Sequence, residues 1–171
     1  MKFSEALEGR RSVRKYQDRP VPSELLTALI QAAEMAPSAG NLRARRYVIV
    51  RNPDVRKALA LAAFNQKQVE TAPALIVVCA DEPRSGERYG DRGSLYSIQD
   101  ATAAVMCLLL AAYDMGLGTC WIGAFDDDLC REILDLEEGV LPVAIVSLGW
   151  PAANPSAPTG RDLDEMVTWM D

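Results

Sequence analysis

Residues 98–115 (IQDATAAVMCLLLAAYDM) read as one long helix that is apolar on nearly every side. A helix of that kind belongs in the centre of a protein or at a subunit interface. Gly116 and Gly118 mark its end. A second segment, ALIVVC at 74–79, is a continuous apolar run without alternation, the pattern of a strand covered on both faces. A buried strand and a buried helix together call for a central sheet flanked by helices, and 171 residues suffice for one such domain.

The remaining elements fit around this pair. A short helix over 4–8 stops at Gly9, and a basic connector (10–22) closes on two prolines. Ser23 is expected to cap an amphipathic helix carrying Leu25, Leu26, Leu29, Ile30 and Ala33, ended by Pro37. Residues 47–50 form a short strand, and Asn52-Pro53 opens a helix. Residues 65–70 are a polar helical turn or loop. Residues 81–95, polar and glycine-containing, are expected to be a mobile loop. A strand or extended segment at 119–122 leads into the loop 123–125. Asp126, Asp127 and Asp128 open a helix to about Leu134, and 143–148 is the next strand. The proline-rich connector 151–158 precedes a last helix over 162–169. We expect one α+β domain over 1–171, whose arm from about 151 packs on a partner subunit.

The chain contains no histidine. That absence removes the Ser-His-Asp triad, the Cys-His dyad, the HExxH zinc site and histidine general-base chemistry together. Its four cysteines form no CxxC pair and lie in apolar segments, so reduced core thiols, no metal site and a cytoplasmic location are expected. Residues 1–14 are charged and lack the apolar centre of a secretory leader, and the most apolar windows, 74–80 and 101–113, are too short to span a bilayer. A net charge of −6 argues against nucleic acid as a partner. Positive charge nevertheless gathers at Arg10, Arg11, Arg14, Lys15 and Arg19, and again at Arg43, Arg45, Arg46 and Arg51, which suggests a small anionic ligand. Chemistry without histidine then points to a cofactor.

Arg10-Arg11-Ser12-Val13-Arg14 can hold a phosphate through forked hydrogen bonds, and in an extended segment Arg10, Ser12 and Arg14 share a face. Pro37-Ser38-Ala39-Gly40-Asn41 is a turn rich in donors and acceptors. The amides of Asn65, Gln66 and Gln68 can read the edge of a heterocycle. Gly116, Gly118 and Gly123 around an apolar strand let backbone amides approach a flat ligand. Arg161 stands alone near the end. Taken singly, each of these also reads as an ordinary loop, turn or surface residue.

In this order the pieces resemble the FMN-dependent nitroreductase family: RRSVRKY (10–16), APSAGN (36–41), FNQKQVETAPALIVVCAD (64–81), QDATAAVMCLLLAAYDMGLGTCWIGAF (99–125), LPVAIVSLGWP (141–151) and GRDLDEMV (160–167). The resemblance implies a central mixed, mostly antiparallel sheet flanked by helices in an intertwined homodimer. It implies that Arg10, Ser12 and Arg161, with Arg11 nearby, hold the FMN phosphate and ribityl chain. Arg14 would lie toward the pyrimidine side and stabilise charge there, and Asn65, with Gln66 or Gln68, would bond the pyrimidine edge. Backbone groups of Ile122, Gly123 and Ala124 would approach N5, and Pro37, Ser38 and Asn41 would come from the second subunit. The implied reaction is electron transfer from NADH or NADPH through FMN to a nitroaromatic, quinone or related acceptor, in a ping-pong cycle needing no side-chain acid or base. A flavin reductase, a metabolite dehydrogenase of the same fold and a flavin-holding protein without turnover share these features. Three departures stand out. Leu42-Arg43-Ala44-Arg45 replaces a Leu-Gln-Pro-Trp common in relatives, Gly123 stands where some have glutamate, and 82–97 is short where others insert helices, which implies a more open pocket.

Overall fold

In the computed structural model, residues 2–157, 159–160 and 162–170 are described. The architecture is organised by β2 (Ala74–Asp81), every residue of which is buried. It pairs antiparallel with β1 (Arg45–Val50) on one side and β4 (Val140–Gly149) on the other, and β4 pairs antiparallel with β3 (Gly118–Ile122). The order is therefore β1-β2-β4-β3, with β1 and β3 as the edges. An isolated parallel bridge, Ser12 to Thr119, makes the sheet mixed.

Alternation along β2 explains its unbroken apolar run. Ala74, Ile76, Val78 and Ala80 face one core, with α2 (Ser23–Ala33) and α6 (Gly93–Asp114) packed on it. Leu75, Val77 and Cys79 face a second core, shared with α3 (Pro53–Ala62), α4 (Lys67–Thr71) and α7 (Asp127–Leu134). The register slips between Val78 and Cys79, and Pro142 of β4 lies at that irregularity, where a missing N–H is tolerated. Asn52 accepts from the N–H groups of Asp54 and Val55, so the expected cap forms, and Asp126 also caps its helix by accepting from Leu129 N–H. The N-terminal α1 (Phe3–Gly9) is also present. The four cysteines are free thiols.

Four expectations need correction. Residues 81–95 are not a loop: α5 (Glu82–Tyr89), a 3-10 turn and the start of α6 occupy them. Asp81 caps α5 by accepting from Arg84 N–H, and Ser85 is buried. Gly86 and Gly93 are contact points, since a Cβ on Gly93 would lie 2.6 Å from Gly86 Cα, while Gly90 at φ 53° ends α5. The terminal segment carries only a 3-10 turn, Leu163–Glu165, in place of a helix over 162–169. Met166, Val167, Trp169 and Met170 are exposed, so nothing in the chain packs that stretch into a helix. Pro22, not Ser23, is the N-cap of α2. Finally, α6 is longer than the 101–113 window, and by length and hydropathy alone it could cross a membrane. Its Ala101, Ala104, Val105, Leu108 and Ala112 are buried in the first core.

Candidate functional site

Residues 10–14 leave α1 and run along the free edge of β3. Val13 N–H donates to Thr119 O at 2.8 Å, beside the Ser12–Thr119 bridge. Val13 is buried against Gly118, where an added Cβ would lie 2.8 Å from Val13 Cβ and Cγ1. Only glycine lets the two backbones come this close. Arg14 is exposed and its Nη1 donates to Ser12 O at 3.4 Å. Arg11 turns back to donate to Glu8 O and Arg10 O, satisfying a free carbonyl at the end of α1. Arg10 and Arg11 border a cavity of about 650 Å³ enclosed by residues 9–11, 116–119 and 151–154. Burial raises the Cys120 thiol above its ordinary range while the charges of Arg14 and Arg10 oppose it, so both guanidiniums bear on β3. Tyr16 ties the segment down, its hydroxyl lying 2.7 Å from Val13 O and 2.8 Å from Ser147 Oγ.

The amide run reaches the other end of β3, just past Ile122. Gln66 Nε2 donates to Ala124 O at 3.1 Å, and Gln68 Nε2 donates to Gln66 Oε1 at 2.9 Å. Asp126 N–H donates to Ala62 O, closing the turn from below. Gly123, Ala124 and Asn65 are exposed, and Ile122 is buried. Phe64 and Asn65 hold φ of 55° and 60°. Beyond Thr119 no strand covers the outer edge of β3 among the described residues, which leaves backbone polar groups presented beside these side chains.

Residues 37–41 lie elsewhere, held by Asp100, Glu34 and Arg45 of the second basic group. Asp100 on α6 accepts from Ala39 N–H at 2.9 Å and from Ala44 N–H at 3.3 Å. Arg45 is buried, pairs with Glu34 and donates to the carbonyls of Glu34, Ala36, Pro37 and Asp100. Ser38 Oγ accepts from Arg43 N–H. Burial acts to raise the Glu34 carboxyl, but hydrogen bonds from Tyr47 and Arg45 and the charges of Arg45 and Arg43 outweigh it and hold it below the usual range. Asn41 and Arg43 have φ of 57° and 51°. Among the described non-glycine residues, five have positive φ and four of them (Asn41, Arg43, Phe64, Asn65) fall in these two loops; such strain concentrates where a chain holds a ligand. The detectable clue to this hub was Asp100, a lone carboxylate in an apolar helix, which needs partners if buried.

Along α6 the two groups are far apart. Asp100 anchors the 37–41 loop, while Gly9 packs on Tyr113, roughly 20 Å further on at 1.5 Å per residue. The second basic group is also not a ligand patch. Arg43 and Arg45 pair with Glu34, Arg46 pairs with Asp81 and Glu137, and Arg51 donates to Ser23 Oγ. Arg161 lies outside the described residues.

A model of the nitroreductase family matches residues 7–71 and 60–150. The chain is 35% identical over 192 residues to an NADH dehydrogenase of Thermus thermophilus, covering 94% of this chain and 92% of that one. It is 28% identical to an FMN reductase (NADPH) of Bacillus subtilis, covering 86% of this chain and 65% of that one. Among solved structures, the NADPH:FMN oxidoreductase of Vibrio harveyi complexed with NAD+ superposes with a TM-score of 0.90 at 29% identity, over 99% of this chain and 77% of that one.

Proposed function

Because the chain belongs to the nitroreductase family, and is by that membership an NAD(P)H-dependent oxidoreductase, we propose that it binds FMN along the free edge of β3 and passes electrons to a small acceptor. The observation that supports this reading is that residues 10–14 and the turn holding Asn65 are each fixed to the same strand, the first at Thr119 through Val13 N–H and the second just past Ile122 through the Gln66–Ala124 hydrogen bond.

The donor set suits FMN. Arg10 and Ser12 offer a guanidinium and a hydroxyl for the phosphate and ribityl chain, with Arg11 orienting that turn. Arg161 is proposed for the same phosphate. Asn65, held left-handed and exposed, has its amide clear for a pyrimidine edge, whereas Gln66 and Gln68 brace the turn beneath it. Arg14 supplies positive charge on that side. Gly123 offers backbone at the surface, a Cβ there meeting only Trp121 Nε1 at 3.6 Å. Bound FMN would supply a two-electron carrier between the nicotinamide and the acceptor. The residues hold and orient it, exclude competing positions and stabilise negative charge, and none is required as a proton donor.

The site is proposed to be shared by two copies of the chain. Pro37, Ser38 and Asn41 would come from the second copy, consistent with their distance from Arg10 along α6. Exposed Phe3 and Leu7 of α1 and Leu95, Ile98 and Met106 of α6 provide an apolar face for that contact, and the exposed Trp169 and Met170 suit an arm laid on a partner. A cytoplasmic location belongs to the same reading and is supported by the four free thiols.

The test is the spectrum of the purified protein. Flavin absorbance is expected, released on denaturation as FMN and bleached anaerobically by NADH or NADPH, with colour restored by a quinone or nitroaromatic. A colourless protein that takes up no added FMN overturns the proposal, and a yellow one that neither coenzyme bleaches reduces it to flavin binding.

A further inference from the structure

Arg88 and Tyr89 of α5, Arg92 of the following 3-10 turn and Tyr96 of α6 form a cationic cluster, part of which lies against the 37–41 loop. Tyr89 and Tyr96 stack edge to face with ring centroids 4.9 Å apart. Arg88 lies over the Tyr89 ring at 5.6 Å and Arg92 over the Tyr96 ring at 5.1 Å. Arg92 Nε also donates to Tyr96 Oη at 3.4 Å. Each ring of the aromatic pair thus carries one guanidinium. The cluster touches the tip of the loop: a Cβ on Gly40 would meet Tyr89 Oη at 2.5 Å and Arg88 Nη1 at 2.9 Å. Arg84 on the same helix donates to Leu42 O.

Neither Arg88 nor Arg92 has a carboxylate within ion-pair distance among the described residues. Glu87 and Asp91, their sequence neighbours, are exposed and pair with neither. This contrasts with Arg43, Arg45 and Arg46, each of which is matched by an acid. In a chain of net charge −6, two guanidiniums preorganised on aromatic rings and left uncompensated mark a place where negative charge is supplied from outside. Planar guanidinium forks suit a phosphomonoester, which offers several acceptor oxygens and nearly two charges at neutral pH.

We propose that Arg88 and Arg92 form a phosphomonoester-recognition site at the rim of the flavin pocket, engaging a phosphate carried in by a substrate. This rests on the reading above that the 37–41 loop enters the partner's flavin site, which puts the cluster at that pocket's mouth. Two substrates could bring such a phosphate: NADPH through its 2′-phosphate, or free FMN taken as the acceptor. The site would determine specificity and take no part in electron transfer.

The experiment compares wild type with R88Q, R92Q and the double variant, all as holoprotein. The kcat/KM ratio of NADPH over NADH is measured in one arm, and that of free FMN over riboflavin as acceptor in the other. We expect one ratio to fall at least ten-fold in the double variant, through the phosphorylated partner alone. The arm that falls identifies the source of the phosphate. Ratios unchanged within two-fold in both arms, or equal loss for both members of each pair, overturn the proposal. Calorimetric titration with 2′,5′-ADP and with FMN reads the same site without turnover. If wild type lacks activity but binds one of these more than ten-fold tighter than the double variant does, the functional reading fails and the phosphate site stands. Equal binding by both proteins sinks the site.

Discussion

Arg45 allows a worked prediction, because its side chain is 0% exposed and every donor on its guanidinium is engaged. Arg45→Met keeps the bulk, removes the donors and leaves the carbonyls of Glu34, Ala36, Pro37 and Asp100 without them. Removing one partner of a buried ion pair costs about 3–5 kcal/mol. The second cation near Glu34, Arg43 at 3.9 Å and 53% exposed, compensates little. At roughly 2–4 °C per kcal/mol for a chain of this size, Tm should fall by about 6–20 °C in a circular-dichroism melt. Arg45→Lys keeps the charge but loses the planar fork, and should recover only part of this. Glu34 adds a pH signature. Its folded pKa lies below the unfolded one, so its contribution is complete above the unfolded carboxylate pKa and is lost as pH falls through the depressed value. The Tm difference between wild type and Arg45→Met should therefore narrow in acid. A variant melting within about 2 °C of wild type at neutral pH, less than the 2–4 °C expected of even 1 kcal/mol, would refute the hub.

Gly118→Ala should push residues 12–14 off β3, since its Cβ has Val13 2.8 Å away; overpacking of about 1–3 kcal/mol is expected in a urea melt, together with an FMN Kd raised at least about ten-fold, and tight FMN binding in the folded variant contradicts it. Cys79 and Cys130, both pushed up to about 12 by burial, should resist a disulfide reagent at pH 8 in the native protein. Rapid labelling of either, located by mass spectrometry, counts against the second core as described. Asn65→Ala should lose about 1 kcal/mol, because alanine lacks the short polar side chain that lets asparagine hold φ 60°, while Asn65→Gly restores the stability and not the FMN affinity. Should Asn65→Gly bind FMN like wild type, its amide has no part in the site.

What could be read from the residues followed from local rules with a single solution. The apolar run 74–79 had to be a doubly covered strand, and Asn52-Pro53 and Asp126 had to begin helices, because each satisfies backbone groups within a few positions. The failures involve partners remote in sequence. Arg45 looks like its neighbours in a basic stretch, and only the approach of Glu34 and α6 makes it a core residue. Residues 81–95 look like a loop because Gly86 and Gly93 suit turns as well as close helix contacts, and the choice is made by packing of α5 on α6. The 162–169 stretch errs the other way: its pattern is helical, but without a surface to cover, a short helix is marginal. The proposed site residues Arg10, Ser12 and Asn65 were named from the ordered set of family-like motifs, since singly each reads as an ordinary loop residue and Ser12 is placed by a strand edge remote in sequence.

The proposed sharing of the site between copies yields a prediction independent of any substrate. A chain carrying Arg10→Ala and Ser12→Ala lacks one half of its donors, and a chain carrying Gly40→Val, strained at φ 56° and crowded by Tyr89 Oη, misplaces the other half. If each site takes 10–14 from one copy and 37–41 from the other, a two-fold dimer of the two variants collects both lesions in one site and leaves its second site intact. Either variant alone should be almost free of FMN, whereas co-refolding equal amounts should restore about a quarter of wild-type flavin, since half of randomly paired dimers are mixed and each has one good site. If both segments serve the same copy's site, the mixture regains nothing. The α6 spacing between Asp100 and Tyr113 favours the first outcome, because a loop anchored at one residue would have to travel the length of the helix to reach arginines anchored at the other.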